Sequence, residues 1–198
     1  MKGRLFTPDQ LPARMPKLPD GWQRRLCRGV LRLCGWSLVG EFPDVPKLVL
    51  IAAPHSSWWD GVWGLLIKVA IGADVHFMGK RELFAWPLGG LLRRLGGVPI
   101  DRGAAKDVVQ QMNDRFHRRE ALWLGIAPEG TRKAVARWKS GFWRIAHDAG
   151  VPIFPVAFHY PDRTIQLGPL FDPGTDMDAT MQRLREWYAP FKGKHRDV

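Results

Sequence analysis

The sequence predicts an α/β fold: a mainly parallel, mixed sheet flanked by helices, with an amphipathic helix on its N-terminal side. Three observations support this class. Strand-like and helix-like stretches alternate from residue 47 onward, and the strand-like stretches are continuous apolar runs. In addition, 198 residues with 45% apolar content suffice to bury a core. Alternation of this kind places helices on both faces of a sheet whose strands are buried on both sides.

The individual elements follow from apolar periodicity and from the residues that break it. Strands are predicted at 47–53, 75–78, 97–101, 121–126, 152–159 and 164–167. Helices are predicted at 57–71, 82–95, 104–119, 138–149 and 177–188, the second disturbed by Pro87. We therefore expect one domain over residues 47–198. Residues 1–46 are expected to form a proline-rich arm followed by a helix.

The helix predicted at 22–39 is basic on one side and apolar on the other. Four arginines fall within an arc of about 100 degrees, namely Arg24, Arg25, Arg28 and Arg32. The opposite arc collects Trp22, Leu26, Val30, Leu33 and Trp36. Such a helix either lies in a membrane interface with its apolar side down or packs against its own domain. The sequence leaves both interpretations open.

The charge balance and the aromatic residues favour an anionic membrane surface as a partner. A formal net charge of +11 attracts nucleic acid, anionic lipid and phosphorylated substrates alike. Ten Trp against two Tyr, together with many arginines, suits the headgroup region of a bilayer. No recognition-helix, zinc-finger or RNP-like pattern is visible, so no nucleic-acid partner is expected.

Membrane contact is expected to be peripheral, at the cytoplasmic face of the cell membrane. No stretch reaches the roughly 20 apolar residues that span a bilayer, and the best candidate, 58–73, contains Asp60 and Lys68. Four prolines interrupt residues 8–19, which differs from the layout of a signal peptide. The only two cysteines, Cys27 and Cys34, indicate a reducing compartment.

The segment 54–60, PHSSWWD, lies where an apolar strand ends and a helix begins, the edge at which open α/β sheets place active sites. His55 can accept a proton near neutral pH. Asp60 can orient its ring and stabilise the imidazolium, as the aspartate of a serine-protease triad does. Ser56 and Ser57 are interpreted as helix-capping residues rather than acyl carriers.

Two further segments combine cations with flexible backbone, which suits a phosphate site. The first begins with Gly79 and Lys80 and closes with Asp101 and Arg102; by itself it is also compatible with a solvated basic loop. The second directly follows the strand 121–126. There Arg132 offers a bidentate fork, and Glu129 is expected to hold a neighbouring arginine rather than to touch substrate. The remaining residues of this turn are Gly130 and Thr131.

Taken in order, the HxxxxD, GK-to-DR, PEGTR and VPIxPV segments resemble the glycerolipid acyltransferase family, over residues 47–160. Pro54 departs from the asparagine common before the histidine, and the chain looks like a compact bacterial member. The resemblance implies that His55 is the general base and Asp60 its orienting partner. It also implies an acceptor-phosphate side made of Arg102, Glu129, Gly130, Thr131 and Arg132, with Lys80 as an additional member.

The implied reaction moves a fatty acyl group from acyl-CoA or acyl carrier protein to a hydroxyl of a phosphate-bearing lipid, such as 1-acylglycerol-3-phosphate. A thioesterase using the same pair, or an acyltransferase for a different lipid acceptor, is the alternative. A basic nucleic-acid-binding module would explain the charge without catalysis. Neither a metal nor a cofactor is expected beyond the acyl thioester, because the other histidines form no cluster with ligand spacing.

Overall fold

A computed structural model describes residues 11–101, 105–131 and 137–195. The strands of this part of the chain are β1 (Ser37–Val39), β2 (Lys47–Ala53), β3 (Val75–Lys80), β4 (Gly97–Ile100), β5 (Leu122–Ile126), β6 (Ile153–His159) and β7 (Thr164–Leu167). The helices are α1 (Trp22–Leu33), α2 (Trp58–Ile71), α3 (Gly89–Arg94), α4 (Ala105–Arg118), α5 (Gly141–Asp148) and α6 (Met177–Tyr188).

The strands form one sheet in the order β1-β7-β6-β2-β5-β3-β4. Neighbouring strands are parallel except β6 and β7, which are antiparallel. The predicted mixed, mainly parallel sheet is therefore confirmed. Since β2, β3, β5 and β6 run in the same direction, their carboxyl ends meet at one edge, which positions the site described below. β1, from the N-terminal segment, extends the same sheet.

Two apolar layers cover the two faces of the sheet. Side chains alternate between the faces along each strand, so that Val49 and Ile51 face one layer while Leu48 faces the other. The first layer contains α4, α5 and α6 and includes the fully buried Phe116, Phe142 and Tyr188. The second contains α1 and α2 and includes Leu31, Ile71 and Trp123. None of the helices in the described part of the chain combines the length and apolar character that crossing a bilayer requires.

Helix α1 ends at Leu33, so the prediction that it continues to residue 39 was wrong. Gly35 adopts a left-handed φ of 73°, and the Trp36 N–H donates to the Leu31 carbonyl at 2.9 Å, which closes the helix end. Residues 37–39 then pair with β7 instead of extending the helix. Trp36 turns into the core and leaves the apolar arc of the helix.

Helix α1 contacts its own domain through its arginine side, not its apolar side. Arg28 Nε donates to the Ala70 carbonyl at 2.8 Å, and Arg24 binds Asp20 at 2.5 Å and the Leu18 carbonyl. Two of the four arginines are therefore committed to internal contacts, which corrects the prediction of a basic face open to anionic lipid. Arg25 and Arg32 remain exposed.

The opposite side of α1 lies in solvent. Trp22 is 69% exposed and Leu33 is 89% exposed, with Leu26 exposed between them. The interpretation in which this apolar side packs against the domain is therefore wrong for these three residues. An apolar stripe of this size, open to solvent, indicates an interaction surface.

Strand β3 continues two residues further than predicted, to Lys80, and the helix predicted at 82–95 is broken. A 3-10 turn occupies Arg81–Phe84, and α3 occupies only Gly89–Arg94. Pro87 lies between them, and its missing N–H and fixed φ prevent one continuous helix.

Candidate active site

His55 and Asp60 lie at the carboxyl edge of the sheet, as the sequence predicted. His55 lies two residues after Ala53, the last residue of β2, and Asp60 occupies the first turn of α2. His55 Nδ1 is 3.4 Å from Asp60 Oδ2, and the exposed fractions of the two side chains are 26% and 0%. The imidazole of His55 is thus partly accessible to solvent, while the carboxylate of Asp60 that it contacts is buried.

The five-residue spacing of this pair has a structural cause. Ser57 is the N-cap of α2 in an extended conformation, and Asp60 is its capping-box partner. The Ser57 N–H donates to Asp60 Oδ2 at 2.7 Å, which is also the oxygen nearest His55. Asp60 therefore has two functions, because it caps the helix and faces the imidazole with the same oxygen. The predicted capping role of Ser57 is also present.

The second oxygen of Asp60 is bound by a residue that the sequence analysis missed. Tyr160 follows β6, and its hydroxyl donates to Asp60 Oδ1 at 2.5 Å. Burial, followed by the hydrogen bond to Asp60, raises the pKa of Tyr160 far above its ordinary value, so the phenol stays protonated. Tyr160 lies outside the four sequence segments. Only knowledge that β6 is the neighbour of β2 could have pointed to it.

Glu129 is buried to 1% exposure, in the turn after β5. Its Oε1 accepts a hydrogen bond from the His55 backbone N–H at 2.8 Å. Glu129 therefore anchors the loop that carries the histidine, a contact that the sequence analysis did not anticipate. The neighbouring Arg132 lies outside the described residues, so the expected contact of Glu129 with an arginine stays a prediction.

The proposed phosphate side of the site is described only in part. Lys80 ends β3 at the same edge, is exposed, and lies with Nζ 3.5 Å from Glu82 Oε1. Gly130 takes a left-handed φ of 64°, and Thr131 follows it, half-buried. Arg102 and Arg132 lie outside the described residues. Within those residues, no group of three or more His, Cys, Asp or Glu could hold a metal ion.

Four tryptophans form a stacked row beside the pair. Trp58 stacks on Trp59 at 4.1 Å between ring centroids, Trp59 on Trp63 at 5.7 Å, and Trp63 on Trp36 at 5.2 Å. Trp58 is exposed and Trp36 is buried, so the row runs from the surface to the core. At its buried end, Trp36 meets the edge of Tyr160 at 5.1 Å.

The segment 192–195 passes over the loop that contains His55. The His195 N–H donates to Ser56 Oγ at 3.2 Å, and the Tyr160 N–H donates to the Lys192 carbonyl at 3.0 Å. Lys194 Nζ lies 5.2 Å from the centroid of a Trp59 ring. This segment therefore fixes the surroundings of the site on the side of β6.

The described residues thus combine a mixed, mainly parallel α/β sheet with a His–Asp pair at its carboxyl edge, and a buried glutamate binds the histidine loop from the turn after β5. This arrangement suits acid–base chemistry. Residues 42–159 match the model of the family described as Acyltransferase. The chain belongs to this family. The resemblance found in the sequence is thereby confirmed.

Curated relatives agree with this assignment. The lyso-ornithine lipid O-acyltransferase of Pseudomonas aeruginosa is 32% identical over 169 residues, which cover 81% of this chain and 60% of that protein. The 1-acyl-sn-glycerol-3-phosphate acyltransferase of Neisseria meningitidis is 28% identical, with 70% of this chain and 55% of that protein covered. The chain thus spans somewhat more than half the length of these relatives.

A solved structure shows the same fold. The crystal structure of the 1-acyl-sn-glycerophosphate acyltransferase from Thermotoga maritima superposes with a TM-score of 0.59 at 19% identity. The superposition covers 83% of this chain and 74% of that one.

Proposed function

We propose that this protein transfers a fatty acyl group from the thioester of acyl-CoA or acyl carrier protein to a hydroxyl of a lipid acceptor, in phospholipid synthesis or remodelling. The observation that carries the proposal is the contact of His55 with the buried Asp60, inside the segment that matches the acyltransferase family. The named relatives catalyse transfer to lysolipid or acylglycerol phosphate acceptors, which supports the same reaction type.

The geometry suits His55 as the general base. Nδ1 faces Asp60, so the mechanism assigns Nε2 to the acceptor hydroxyl. His55 removes the hydroxyl proton as the oxygen attacks the thioester carbon, and a tetrahedral intermediate forms. The carbon–sulfur bond then breaks, and the leaving sulfur takes the proton from the imidazolium. The products are the ester and a free thiol, and no protein nucleophile is required.

We take 1-acylglycerol-3-phosphate as the first acceptor, with Arg102 and Arg132 holding its phosphate beside Lys80, Gly130 and Thr131. Arg132→Ala and Arg102→Ala are then expected mainly to raise the acceptor KM, because a phosphate contact is made in the ground state and the transition state alike. Lysine would not rescue fully, since it lacks the bidentate fork. A raised donor KM with an unchanged acceptor KM would reverse the two substrate assignments.

A second acceptor is favoured by the relatives themselves, since the Pseudomonas aeruginosa protein is named for lyso-ornithine lipid. Purified protein would therefore be assayed with one acyl thioester and both acceptors in parallel. Transfer to 1-acylglycerol-3-phosphate supports the first assignment, and selective transfer to lyso-ornithine lipid replaces it.

The same assay separates transfer from the two other function classes. Thiol release that is independent of any acceptor would identify a thioesterase. The absence of both activities, with the protein folded, would leave a binding module. Exchanging acyl-CoA for acyl carrier protein in the assay then identifies the donor.

The proposed acceptor resides in a bilayer, and the exposed stripe of α1 suits a peripheral membrane contact at the cytoplasmic face. Trp22, Leu26 and Leu33 would enter the interface, while Arg25 and Arg32 remain available to anionic headgroups. The apolar contribution is independent of salt, whereas the charge contribution weakens as salt shortens the Debye length.

Co-sedimentation with anionic liposomes tests this contact. Trp22→Ala with Leu33→Ala is expected to weaken binding at every salt concentration, and Arg25→Gln with Arg32→Gln to weaken it chiefly at low salt. Turnover of a soluble short-chain acceptor would survive both changes. Parental liposome binding by both variants would show that the membrane is met by another surface.

A further inference from the structure

A second exposed apolar surface lies at the edge of the sheet that carries the site. We define the rim segment as residues 81–94, which follow the carboxyl end of β3. Trp86 is 93% exposed, and three leucines around it are exposed as well: Leu83, Leu88 and Leu91. Side chains of this size in solvent, clustered within one short segment, indicate an interaction surface.

The exposure of the rim segment is fixed by packing. Phe84 is buried beneath it, and its ring lies so close to β3 and β4 that a Cβ added at Gly79 or Gly97 would come within 2.9 Å or 2.6 Å of it. Only glycine allows this approach. The segment is therefore anchored through Phe84, and its other apolar side chains are held outward.

The charges of the rim segment identify the chemistry of its partner. Three arginines, Arg81, Arg93 and Arg94, are exposed there against one glutamate, Glu82. Apolar side chains bordered by arginine match an anionic bilayer, in which the rings and leucines enter the interface and the guanidinium groups meet lipid phosphates. We propose that the rim segment enters the anionic bilayer beside the active site, so that the site edge faces the surface from which a lipid acceptor is drawn.

This surface proposal rests on the proposed function, and vesicle binding tests it. The rim variant is Trp86→Ala with Leu91→Ala, and the control is Leu170→Ala. Leu170 is also exposed, but it precedes Phe171, which pairs with Ile153 at the amino end of β6, so it marks the opposite edge of the sheet. Vesicles consist of phosphatidylcholine with or without phosphatidylglycerol.

The rim variant is expected to bind phosphatidylglycerol vesicles at least about 10-fold more weakly, because it lacks apolar area that would enter the interface, while the control binds like the parent. Its KM for a vesicle-embedded acceptor would rise, with kcat on a soluble short-chain acceptor unchanged. If the rim variant binds vesicles as tightly as the parent, the proposal is overturned. It is also overturned if the rim variant loses turnover only when acyl carrier protein is the donor. If the unsubstituted protein shows no acyl transfer at all, the result instead counts against the proposed function.

The contacts of Asp60 carry a second, independent inference. Among the ion pairs of the described residues, Asp60 pairs with His55 only. Its other partners are neutral donors, the Ser57 N–H at 2.7 Å on Oδ2 and the Tyr160 hydroxyl at 2.5 Å on Oδ1. The geometry assigns Tyr160 as a positioning residue. By binding Oδ1, it fixes the rotation of the carboxylate so that Oδ2 faces His55 Nδ1.

The surroundings of Tyr160 hold its hydroxyl in place. Its ring packs edge-on against Trp36, and its backbone N–H donates to the Lys192 carbonyl. The phenol stays protonated, so it donates and does not compete with Asp60 for the histidine proton. Removal of the hydroxyl would keep the ring and leave the Ser57 N–H as the remaining hydrogen bond that orients the carboxylate.

A double-mutant cycle tests this positioning role, which rests on the catalytic assignment of His55 and Asp60. Tyr160→Phe is expected to lower kcat on the order of 10-fold, the scale of one hydrogen bond to a charged group, with both KM values unchanged. In an Asp60→Asn background the same substitution would have little further effect, because Tyr160 acts through Asp60.

The matched control is Tyr188→Phe, at the only other tyrosine of the chain. The Tyr188 hydroxyl binds the backbone of Ile51 and Val156, so its removal would lower the melting temperature, with the same effect on kcat in either background. A kcat of Tyr160→Phe within two-fold of the parent, or an equal loss in both backgrounds, overturns the positioning role. If Asp60→Asn itself is fully active, the catalytic assignment fails instead.

Discussion

Of the four histidine–aspartate pairs in the described residues, two lie at opposite edges of the sheet and can be compared directly. His55 and Asp60 are 3.4 Å apart at the carboxyl edge, and His76 and Asp74 are 3.6 Å apart at the amino end of β3. The distances are similar, yet the surroundings differ. Asp60 is fully buried, whereas Asp74 is 35% exposed.

The surroundings of His76 disfavour its protonation. Burial lowers its pKa first; Asp74 raises it, and the cations Arg119, Lys68 and Arg115 lower it further. Arg119 Nη1 also lies 3.0 Å from Nε2, the same ring nitrogen that Asp74 faces. Under the proposed mechanism, a neighbouring carboxylate alone does not make a histidine a general base. The carboxylate of the proposed base is also buried, held by neutral donors and placed at the edge where the other candidate site residues gather.

Replacement of the two histidines gives the largest expected contrast. His55→Ala is expected to lower kcat/KM by about 10³-fold, within the range for loss of a general base, and to leave the protein folded. His76→Ala, at the opposite edge, would remain within two-fold of the parent. Acyl-transfer kinetics and circular dichroism would be measured for both. Near-normal transfer by folded His55→Ala would remove the proposed mechanism.

The two aspartates give the next contrast. Asp60→Asn is expected to lower kcat by about 10²-fold, because the neutral amide cannot stabilise the imidazolium. It would also destabilise the fold by about 1 kcal/mol through the weakened cap of α2. Asp74→Asn would leave kcat unchanged. Equal kinetic effects at both positions would show that burial of the carboxylate does not distinguish the pairs.

Glu129 is a further difference between the two histidines. Its carboxylate accepts a hydrogen bond from the His55 backbone N–H, and no glutamate makes this contact with His76 among the described residues. Glu129→Gln keeps an acceptor for the His55 N–H but loses its charge, and we expect kcat to fall about 10-fold. Glu129→Ala would lose more, since it also leaves a cavity. Both would be followed by kcat and by thermal unfolding. If Glu129→Ala is fully active, Glu129 contributes only to packing and not to catalysis.

The smallest effect concerns stability at acidic pH. The folded-state pKa of His76 is lowered, so the unfolded chain binds its proton more readily. His76 therefore stabilises the fold above about pH 6.5, the unfolded value, and this contribution is lost as the pH falls through the lowered folded value. His76→Gln is expected to flatten the decline of the unfolding free energy between about pH 7 and pH 5 in urea titrations. If the unfolding free energy of His76→Gln depends on pH as that of the parent does, the lowered pKa of His76 is contradicted.

The sequence predicted the alternating elements and the contact between His55 and Asp60 because both depend on short-range pattern. His55, Ser57 and Asp60 belong to one strand-to-helix turn, and the capping box explains their spacing. Tyr160 and the His55–Glu129 contact depend on which strands become neighbours, which local pattern does not encode. The end of α1 was mispredicted because Trp36 continues the helical periodicity, although Gly35 closes the helix. The apolar pattern predicted that α1 has one basic side and one apolar side, but it did not predict that the basic side packs against the domain.

The contact between Arg24 and Gly72 constrains how this chain can diverge. Gly72 closes α2 with a φ of 75°, and a Cβ added there would lie 2.2 Å from the Arg24 guanidinium carbon. The same arginine also binds Asp20 and the Leu18 carbonyl, ahead of α1. A side chain at position 72 would therefore need a left-handed backbone, which residues other than glycine rarely adopt, and would also have to displace the Arg24 guanidinium from its partners. We expect substitutions at position 72 to be coupled to position 24, with a smaller loss of stability where residue 24 is already short.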